Sequence, residues 1–204
     1  TTSNLTFSGN IQGNNMILNN IMLYTTTSGD SIGLFKEIVS NNDYTVNYAI
    51  RNLTLTPTSV WASKVTSVGL LAGVVQDYNL YNINVKSNKT NVIVGGNTVG
   101  GIAGIIRGNF DIQRLSSNVG ANSTREISLS RYSIYISKNN NQEISYNLKD
   151  VYYAGAVIGI LDGYDSQNFN ANESTRYLSK TYFNVKDINV EGYISVLADT
   201  AGAA

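Results

Sequence analysis

The sequence contains neither cysteine nor histidine, and its only proline is Pro57. Without cysteine the chain can form no disulfide and no thiolate metal site. Without histidine it lacks the commonest general base and metal ligand, which excludes a Ser-His-Asp triad. Charge is scarce as well, because Lys plus Arg and Asp plus Glu are 14 each among 204 residues. A neutral chain offers no basic patch, so we expect no nucleic-acid partner.

Long hydrophobic runs are also missing. The most apolar stretches are "TSVGLLAGVV" (66–75), "NTVGGIAGII" (97–106) and "YAGAVIGIL" (153–161). A membrane-spanning helix needs roughly 20 apolar residues, so we expect no spanning segment. The glycines of these stretches match neither phosphate-binding pattern, G-x-x-x-x-G-K-[ST] or G-x-G-x-x-G. The chain starts at Thr1 without a signal-like segment, which suggests a processed form or part of a longer protein.

A repeated unit is the strongest signal in the sequence. A segment with alternating apolar residues recurs along the chain, and a turn and a glycine-rich apolar segment follow it. Alternation of this kind is typical of half-buried strands, and recurrence about every 30 residues is typical of solenoids. The sequence therefore predicts an all-β parallel β-helix with irregular insertions. The alternating segments are "LNNIML" (18–23), "IRNLTL" (50–55), "LYNINV" (80–85), "RYSIYIS" (131–137) and "VKDINV" (185–190).

Local composition supports strands over helices. Tyr, Thr, Val and Ile are plentiful and favour pleated surfaces. The best helical candidate is "GLFKEIVSNN" (33–42), and Pro57 is expected in a turn after a strand. We interpret "NTVGGIAGII" as one buried strand, whose glycines allow close backbone approach. The alternative is a central strand of a β-sandwich.

The spacing of the units predicts the domain organisation. We expect one domain over residues 1–204, large enough for a single core. Regular units are expected over residues 7–106 and 151–204. The longer spacing between them places irregular structure over residues 107–150.

These segments resemble the GLUG-repeat pattern of bacterial cell-surface and secreted proteins, including the N-terminal region of IgA-specific metallopeptidases. The resemblance rests on "FSGNIQGNNMILNNIML" (7–23), "GLF" (33–35), "IRNLTL", "VGLLAG" (68–73), "NINV" (82–85) and "VGGIAG" (99–104). It implies a right-handed parallel β-helix, an extracellular location at the cell surface, and no catalytic residues in this region. The zinc motif H-E-x-x-H of those peptidases cannot occur in a chain without histidine.

Carboxylates provide the few candidate sites. Asp111 and Asp150 are candidates for a paired-carboxylate glycosidase only because they flank or lie within the irregular region. The stretch "LDGYDSQNFNANES" (161–174) is rich in the oxygen ligands that Ca²⁺ takes, but its spacing does not match the EF-hand pattern. A solvated loop is the preferred interpretation. We therefore expect no enzyme and no catalytic, cofactor-binding or metal-binding residue. The oxygen ligands considered are Asp162, Asp165, Asn168, Asn170 and Glu173.

Asparagine is abundant, with 28 residues, so chance alone accounts for the N-x-[ST] sequons. Asn88 and Asn122 are the best glycosylation candidates, since both lie in polar turns. The five sequons are at Asn4, Asn52, Asn88, Asn122 and Asn172.

Two functions fit these features. The first is a non-catalytic module of a secreted or cell-surface protein, serving as an adhesive binding surface or as a spacer, with a protein or glycan of another cell as its partner. The alternative is a structural subunit of an extracellular filament, assembled from copies of itself by strand exchange. The alternating segment "TTSNLTFSG" (1–9) could be the donated strand, and "TAGAA" (200–204) starts the motif again without completing it.

Overall fold

The computed structural model describes residues 4–40, 48–87, 92–123, 153–162, 183–191, 196–197 and 200–202. Across these ranges the regular elements are strands, and no helix is present. The all-β prediction is therefore confirmed. The strands are β1 Thr6–Phe7, β2 Ile11–Tyr24, β3 Gly29–Ile32, β4 Phe35–Val39, β5 Ala49–Ala62, β6 Val65–Gly69, β7 Ala72–Gln76, β8 Asn79–Val85, β9 Val92–Gly95, β10 Thr98–Gly100, β11 Ala103–Arg107, β12 Phe110–Ser117, β13 Gly120–Ser123, β14 Tyr153–Gly155, β15 Ile158–Asp162, β16 Phe183–Val190, β17 Val196–Leu197 and β18 Thr200–Gly202.

The strands form three sheets in which neighbouring strands are parallel. The first sheet contains β2, β5, β8, β9, β12, β13, β16 and β17. The second contains β3, β6, β10, β14 and β18, and the third contains β1, β4, β7, β11 and β15. A β-sandwich is built from antiparallel sheets, so the sandwich alternative is wrong.

From β2 onwards the chain visits the first, second and third sheets in the same order each time. It is therefore divided into units: unit 1 is β2–β4, unit 2 is β5–β7, unit 3 is β8–β11, unit 4 is β12–β15, and unit 5 is β16–β18. Each strand pairs with the equivalent strands of neighbouring units. In the first sheet, for example, Leu53, Ile83 and Leu115 lie side by side in units 2, 3 and 4.

The glycine-rich stretches are corners between two sheets. "NTVGGIAGII" contains β10 of the second sheet and β11 of the third, so its interpretation as one strand is wrong. The corner begins at Gly100, which is paired with Gly69 of unit 2 and Gly155 of unit 4. A Cβ atom on Gly69, Gly100 or Gly155 would come within 3.0 Å of backbone atoms across the corner. Only glycine leaves room for so sharp a change of direction.

A second set of glycines brings the second and third sheets together. Gly73 and Gly104 occupy equivalent positions in β7 and β11, and a Cβ on Gly104 would collide with the Ser67 hydroxyl. Ser67 is buried and donates a hydrogen bond of 2.6 Å from Oγ to the carbonyl oxygen of Gly73. A small hydroxyl residue facing a glycine thus sets the distance between these two sheets.

One continuous hydrophobic core lies between the sheets. Every unit except the incompletely described unit 5 contributes fully buried or nearly buried aliphatic side chains, which a parallel sheet covered on its inner face requires. The best buried members include Ile38, Ile50, Leu55, Leu71, Leu80, Ile83, Ile93, Ile102 and Ile106.

Two local predictions are wrong. The helical candidate at 33–42 contains β4, because Phe35–Val39 pairs with β7 and buries Ile38. Pro57 lies inside β5 and not in a turn after a strand. Beyond Leu55, β5 stops pairing with β8, and from Val60 it pairs with β9, so Pro57 occupies a gap between two ladders. On its other side Pro57 faces Ile21 of β2 between two register shifts, and proline is tolerated at such an irregularity.

The repeated parallel pairing continues beyond residue 106, into the stretch for which the sequence predicted irregular structure. β12 lies within the stretch assigned to irregular structure, yet it pairs in parallel with β8 and β16. β12 is the first strand of unit 4 and belongs to the first sheet. The sequence pattern predicted "RYSIYIS" (131–137) for that position. That segment lies outside the described residues, and the single domain over 1–204 stays a prediction.

Candidate functional site

Two large aromatic side chains lie next to each other on the outer face of the first sheet. Tyr24 of β2 and Trp61 of β5 are register partners, and they are 56% and 48% exposed. Their neighbours Leu23 and Val60 are buried, so the strand alternation directs the aromatic residues outward. Parallel strands lie about 4.8 Å apart, which places the two aromatic residues side by side. Trp61 is the only tryptophan of the chain.

A polar groove begins two residues after Trp61. It occupies about 760 Å³ at the corner where the chain passes from the first sheet to the second. Three consecutive units contribute to it, through the turns that follow β2, β5 and β9. Its lining is made of hydroxyl, amide and backbone groups with one acidic and one basic side chain: Ser28, Gly29, Asp30, Ser63, Lys64, Thr66, Gly96 and Asn97.

The turn of unit 1 is longer than the turns of units 2 and 3. The turn of unit 1 covers residues 25–28, whereas the turns of units 2 and 3 are the two-residue segments 63–64 and 96–97. The Thr25 hydroxyl braces the longer turn, since it accepts a hydrogen bond of 3.1 Å from the Thr27 backbone N–H. The last residue of this turn, Ser28, lines the groove.

Backbone hydrogen bonds fix the turns to one another. The Thr25 N–H donates to the Trp61 carbonyl oxygen at 3.0 Å, and the Gly96 N–H donates to the Val65 carbonyl oxygen at 2.8 Å. The Asn97 N–H donates to the Thr66 carbonyl oxygen at 3.2 Å. The groove and the strand that carries Trp61 thus belong to one hydrogen-bonded framework, so a ligand would meet a preformed surface.

Asp111, one of the two carboxylates considered for glycosidase chemistry, holds strands together on the same outer face. Its Oδ2 accepts a hydrogen bond from the Tyr81 hydroxyl at 3.0 Å, and its Oδ1 accepts one from Asn184 Nδ2 at 2.9 Å. Gln113 Nε2 donates to both oxygens, at 3.0 and 3.1 Å. The carboxylate therefore links β8, β12 and β16. Asp150, the other candidate, lies outside the described residues.

The predicted oxygen-rich cation cluster is largely outside the described residues, which include only Asp162 at the end of β15. The Asp162 carbonyl oxygen accepts a hydrogen bond of 2.9 Å from the Gly108 N–H. Among the residues that the structure describes, no group of three or more Asp and Glu side chains is arranged to hold a metal ion.

The sequons have different surroundings. Asn4 is exposed, and Asn52 lies within β5, where its Oδ1 accepts a hydrogen bond of 2.9 Å from Asn82 Nδ2. Asn122 lies in β13 and not in a polar turn. Asn88 and Asn172 fall outside the described residues.

Sequence reasoning did not single out the aromatic pair or the groove. The alternation of "SVWA" (59–62) contains the necessary signal, since a buried Val60 predicts an outward Trp61. Placing Pro57 in a turn hid that signal, because it ended the strand before Trp61.

No family model, curated protein or solved structure matches the chain. The resemblance to the GLUG-repeat pattern consequently stays a prediction. Within the described ranges no helix has the length and apolar character that crossing a membrane requires.

Proposed function

We propose that this chain is a non-catalytic module of a secreted or cell-surface protein, and that it serves as a binding surface on a rigid β-solenoid spacer. The observation that carries the proposal is the exposed pair Tyr24 and Trp61 next to a preformed polar groove. Tyrosine and tryptophan are the residues enriched at recognition surfaces, because they provide a large contact area at a low cost in conformational entropy.

The finer fold in this proposal is a right-handed parallel β-helix. Support comes from the fixed order in which the chain visits three parallel sheets, and from equivalent residues that stay in register from unit to unit. Crossover connections between parallel strands of one sheet are right-handed in nearly all proteins, which favours the same hand here. A solenoid of this kind is stiff along its axis and can separate what lies at its two ends.

The arrangement of Asp111 supports a binding role over catalysis. A general acid or base needs a carboxyl group that can exchange a proton with substrate. Both oxygens of Asp111 accept hydrogen bonds from neighbouring side chains. The position of this carboxylate is therefore explained by its role in holding the strands together. We therefore propose that the module binds without transforming its partner.

Cell binding tests the proposal directly. Fluorescently labelled chain should bind intact cells of a host or neighbouring species, and the double variant Tyr24→Ala/Trp61→Ala should bind at least tenfold less. Met16→Ala is the matched control, because it removes a large exposed side chain from the same strand as Tyr24, away from the groove. Absence of cell binding, or equal binding by the double variant, would contradict a binding role for this surface.

Location is tested separately. A protease added to intact cells that produce the protein should degrade it, while a cytoplasmic marker stays whole. Protection of the protein until the cells are broken would contradict the proposed surface location.

The open edge of β2 favours a second candidate function, a filament subunit that assembles by strand exchange. Among the described strands, β2 pairs with β5 alone, although it is 14 residues long. It exposes Met16, Ile17 and Met22, each by more than half. A long edge with exposed apolar side chains can template pairing with another chain.

The register of β2 weakens this second candidate. Its pairing with β5 shifts between Gln12 and Met16 and again on either side of Ile21. Irregularities of this kind disturb the ladder, and proteins use them to discourage edge-to-edge association. Light scattering over a concentration series, with electron microscopy of the same sample, distinguishes the candidates. Fibres that disappear in Ile17→Lys/Met22→Lys would favour the filament, and a monomer at every concentration would exclude it.

A further inference from the structure

We infer that the surface formed by Tyr24, Trp61 and the adjoining groove, which we name the corner site, binds a neutral oligosaccharide. The inference rests on the proposed binding function and specifies the chemical class of its ligand. It combines two independent features: an exposed aromatic pair and a groove lined by hydroxyl and amide groups.

The aromatic pair offers a surface on which the apolar face of a saccharide can pack. A pyranose ring has an apolar face of C–H groups and a polar rim of hydroxyl groups. The flat, electron-rich face of Trp61 or Tyr24 suits the C–H face, and both aromatic residues keep about half of their surface in solvent. They belong to neighbouring strands, so the platform is wider than either ring alone.

The groove offers hydrogen-bonding groups for the polar rim of the saccharide. Ser28, Ser63 and Thr66 present hydroxyl groups, which both donate and accept hydrogen bonds as sugar hydroxyls do. Asp30 adds an acceptor that is suited to a pair of vicinal hydroxyls. Small-molecule pockets for apolar ligands are lined mainly by hydrophobic side chains, and this groove is not, which argues for a polar ligand.

The charge and the length of the groove restrict the chemical class of the ligand further. One acidic and one basic side chain line the groove, Asp30 and Lys64, so neither an anionic nor a cationic polymer is favoured. The groove crosses the corners of three units, which spans about 10 Å at the usual strand spacing. The aromatic pair extends this length. The corner site therefore suits several consecutive sugar units and not a single monosaccharide.

A peptide ligand fits this surface less well. Extended peptides that add to a sheet pair with an open strand edge, which here is the edge of β2, whereas the groove is lined by groups from the corners of three units. The groove also lacks the apolar pockets that would select peptide side chains.

Tryptophan fluorescence gives a direct test, because Trp61 is the only tryptophan. The full chain is titrated with cellohexaose, xylohexaose and maltohexaose, and it is also applied to an array of neutral glycans. We expect saturable binding to at least one of these saccharides, accompanied by a change in Trp61 emission. Saccharide binding should be about tenfold weaker in Tyr24→Ala and in Asp30→Ala, which keep the fluorophore.

Met16→Ala is again the control, and circular dichroism confirms that each variant folds. Affinity that is unchanged in both Tyr24→Ala and Asp30→Ala would overturn the corner site. So would absence of binding to every saccharide tested, or binding to phosphatidylcholine vesicles in place of saccharides.

A further measurement separates this inference from the function on which it rests. Cells that bind the chain are treated with periodate, which oxidises vicinal diols of surface glycans, or with a protease. Loss of binding after periodate supports the saccharide. Binding that depends on Tyr24 and Trp61 but is removed only by protease would overturn the saccharide and leave the binding module standing. Absence of cell binding before any treatment would overturn both.

Discussion

Residues with positive φ mark a bend that is repeated in the first sheet. Asn52, Asn82, Arg114 and Asp187 immediately precede register partners in β5, β8, β12 and β16, and their φ values are between 54° and 58°. Asn15 has φ 60° and precedes the matching residue of β2. Asparagine and aspartate tolerate this conformation because their short polar side chains can bond to nearby groups. This column of equivalent positive-φ positions explains why asparagine or aspartate precedes an aliphatic residue in "IRNLTL", "LYNINV" and "VKDINV".

Arg114 is the exception in this column, and replacing it should stabilise the protein. A non-glycine residue held at positive φ costs of order 1 kcal/mol or more, and asparagine relieves part of that cost. An asparagine at 114 would also stand next to Asn82, which already donates a hydrogen bond to Asn52. We expect Arg114→Asn to raise the free energy of unfolding by about 1 kcal/mol, measured by urea denaturation.

Arg114→Ala is the control for this substitution. It removes the same long, exposed side chain but supplies no tolerance of positive φ. Arg114→Ala should therefore show no gain in stability. Equal stabilisation by the two variants would mean that loss of the charge, and not relief of the backbone, is responsible.

Tyr78 connects the N-terminal segment to the core, and its ionisation should lower the stability of the protein at alkaline pH. It is 1% exposed, its hydroxyl donates to the Gly9 carbonyl oxygen, and that hydroxyl also accepts from the Gly9 N–H. Burial raises the pKa of the Tyr78 hydroxyl above its usual value near 10; the Gly9 hydrogen bond opposes this rise, and Tyr48 adds to it. As pH rises, the unfolded chain releases this proton at a lower pH than the folded chain does. The contribution of Tyr78 to the free energy of unfolding is therefore complete below pH 10 and is lost as pH rises beyond it.

Unfolding of Tyr78→Phe tests this prediction against the native chain. At neutral pH the variant should be less stable by about 1 kcal/mol, because it leaves the Gly9 backbone groups without their partner. Between pH 9 and pH 11 the native chain should lose stability faster than the variant. Parallel pH profiles would show that other tyrosines, and not Tyr78, account for any alkaline loss.

At the scale of the strand, the glycine corners explain which part of the fold could be predicted from sequence. Alternation identified β5 and β8 correctly, since Leu53, Ile83 and Val85 are buried as the period of two requires. The stretch 97–106 was predicted as one strand because period and hydrophobicity do not show a corner. At the corner Gly100 faces the nearby Ala103 carbonyl and also the Gly159 backbone nitrogen of unit 4, and the second of these contacts is distant in sequence.

Gly100→Ala should strongly destabilise the protein. The new Cβ would come within 3.0 Å of the Ala103 carbonyl and of the Gly159 backbone nitrogen, and neither group can move without disturbing two sheets. Overpacking against backbone typically costs 1–3 kcal/mol, and we expect about 3 kcal/mol here. Thermal and urea unfolding measure the loss.

Gly29→Ala is the matched control for the corner. Its added Cβ would meet only Val65 Cγ2, at the ordinary contact distance of 3.8 Å. We expect a change within about 0.5 kcal/mol. If both substitutions cost the same, a general preference for glycine would explain the result, and the close approach at Gly100 would not.

At the scale of the whole molecule, the sequence predicts the repeat better than it predicts the surface. The parallel sheets follow from recurring segments such as those around Asn52 and Asn82, each of which has a clear local period. The corner site depends on turns of units 1, 2 and 3 that meet only after folding. Unit 1 contributes Ser28, Gly29 and Asp30 to its groove, and its aromatic platform comes from two strands separated in sequence by β3 and β4.

Local stability should also differ among strands, because within the described residues β2 and β3 of unit 1 pair on one side only, whereas β4 lies between β1 and β7. β6 and β10 each lie between two strands of the second sheet, whereas β3 is at its edge within the described residues. The free energy of local opening depends on neighbouring contacts, so amides at the edge should exchange faster. We expect hydrogen exchange in β2 and β3 to be at least tenfold faster than in β6 and β10.

Mass spectrometry of exchanged peptides, repeated over a concentration series, measures this difference and also examines the edge of β2. Edge exchange that stays fast at every concentration agrees with an edge that no second copy covers. Protection of β2 that grows with concentration would show that another copy pairs with it, which favours the filament candidate. Slow exchange in β2 at all concentrations would contradict the expected gradient, because a strand paired only with β5 would then be as stable as the doubly paired strands of units 2 and 3.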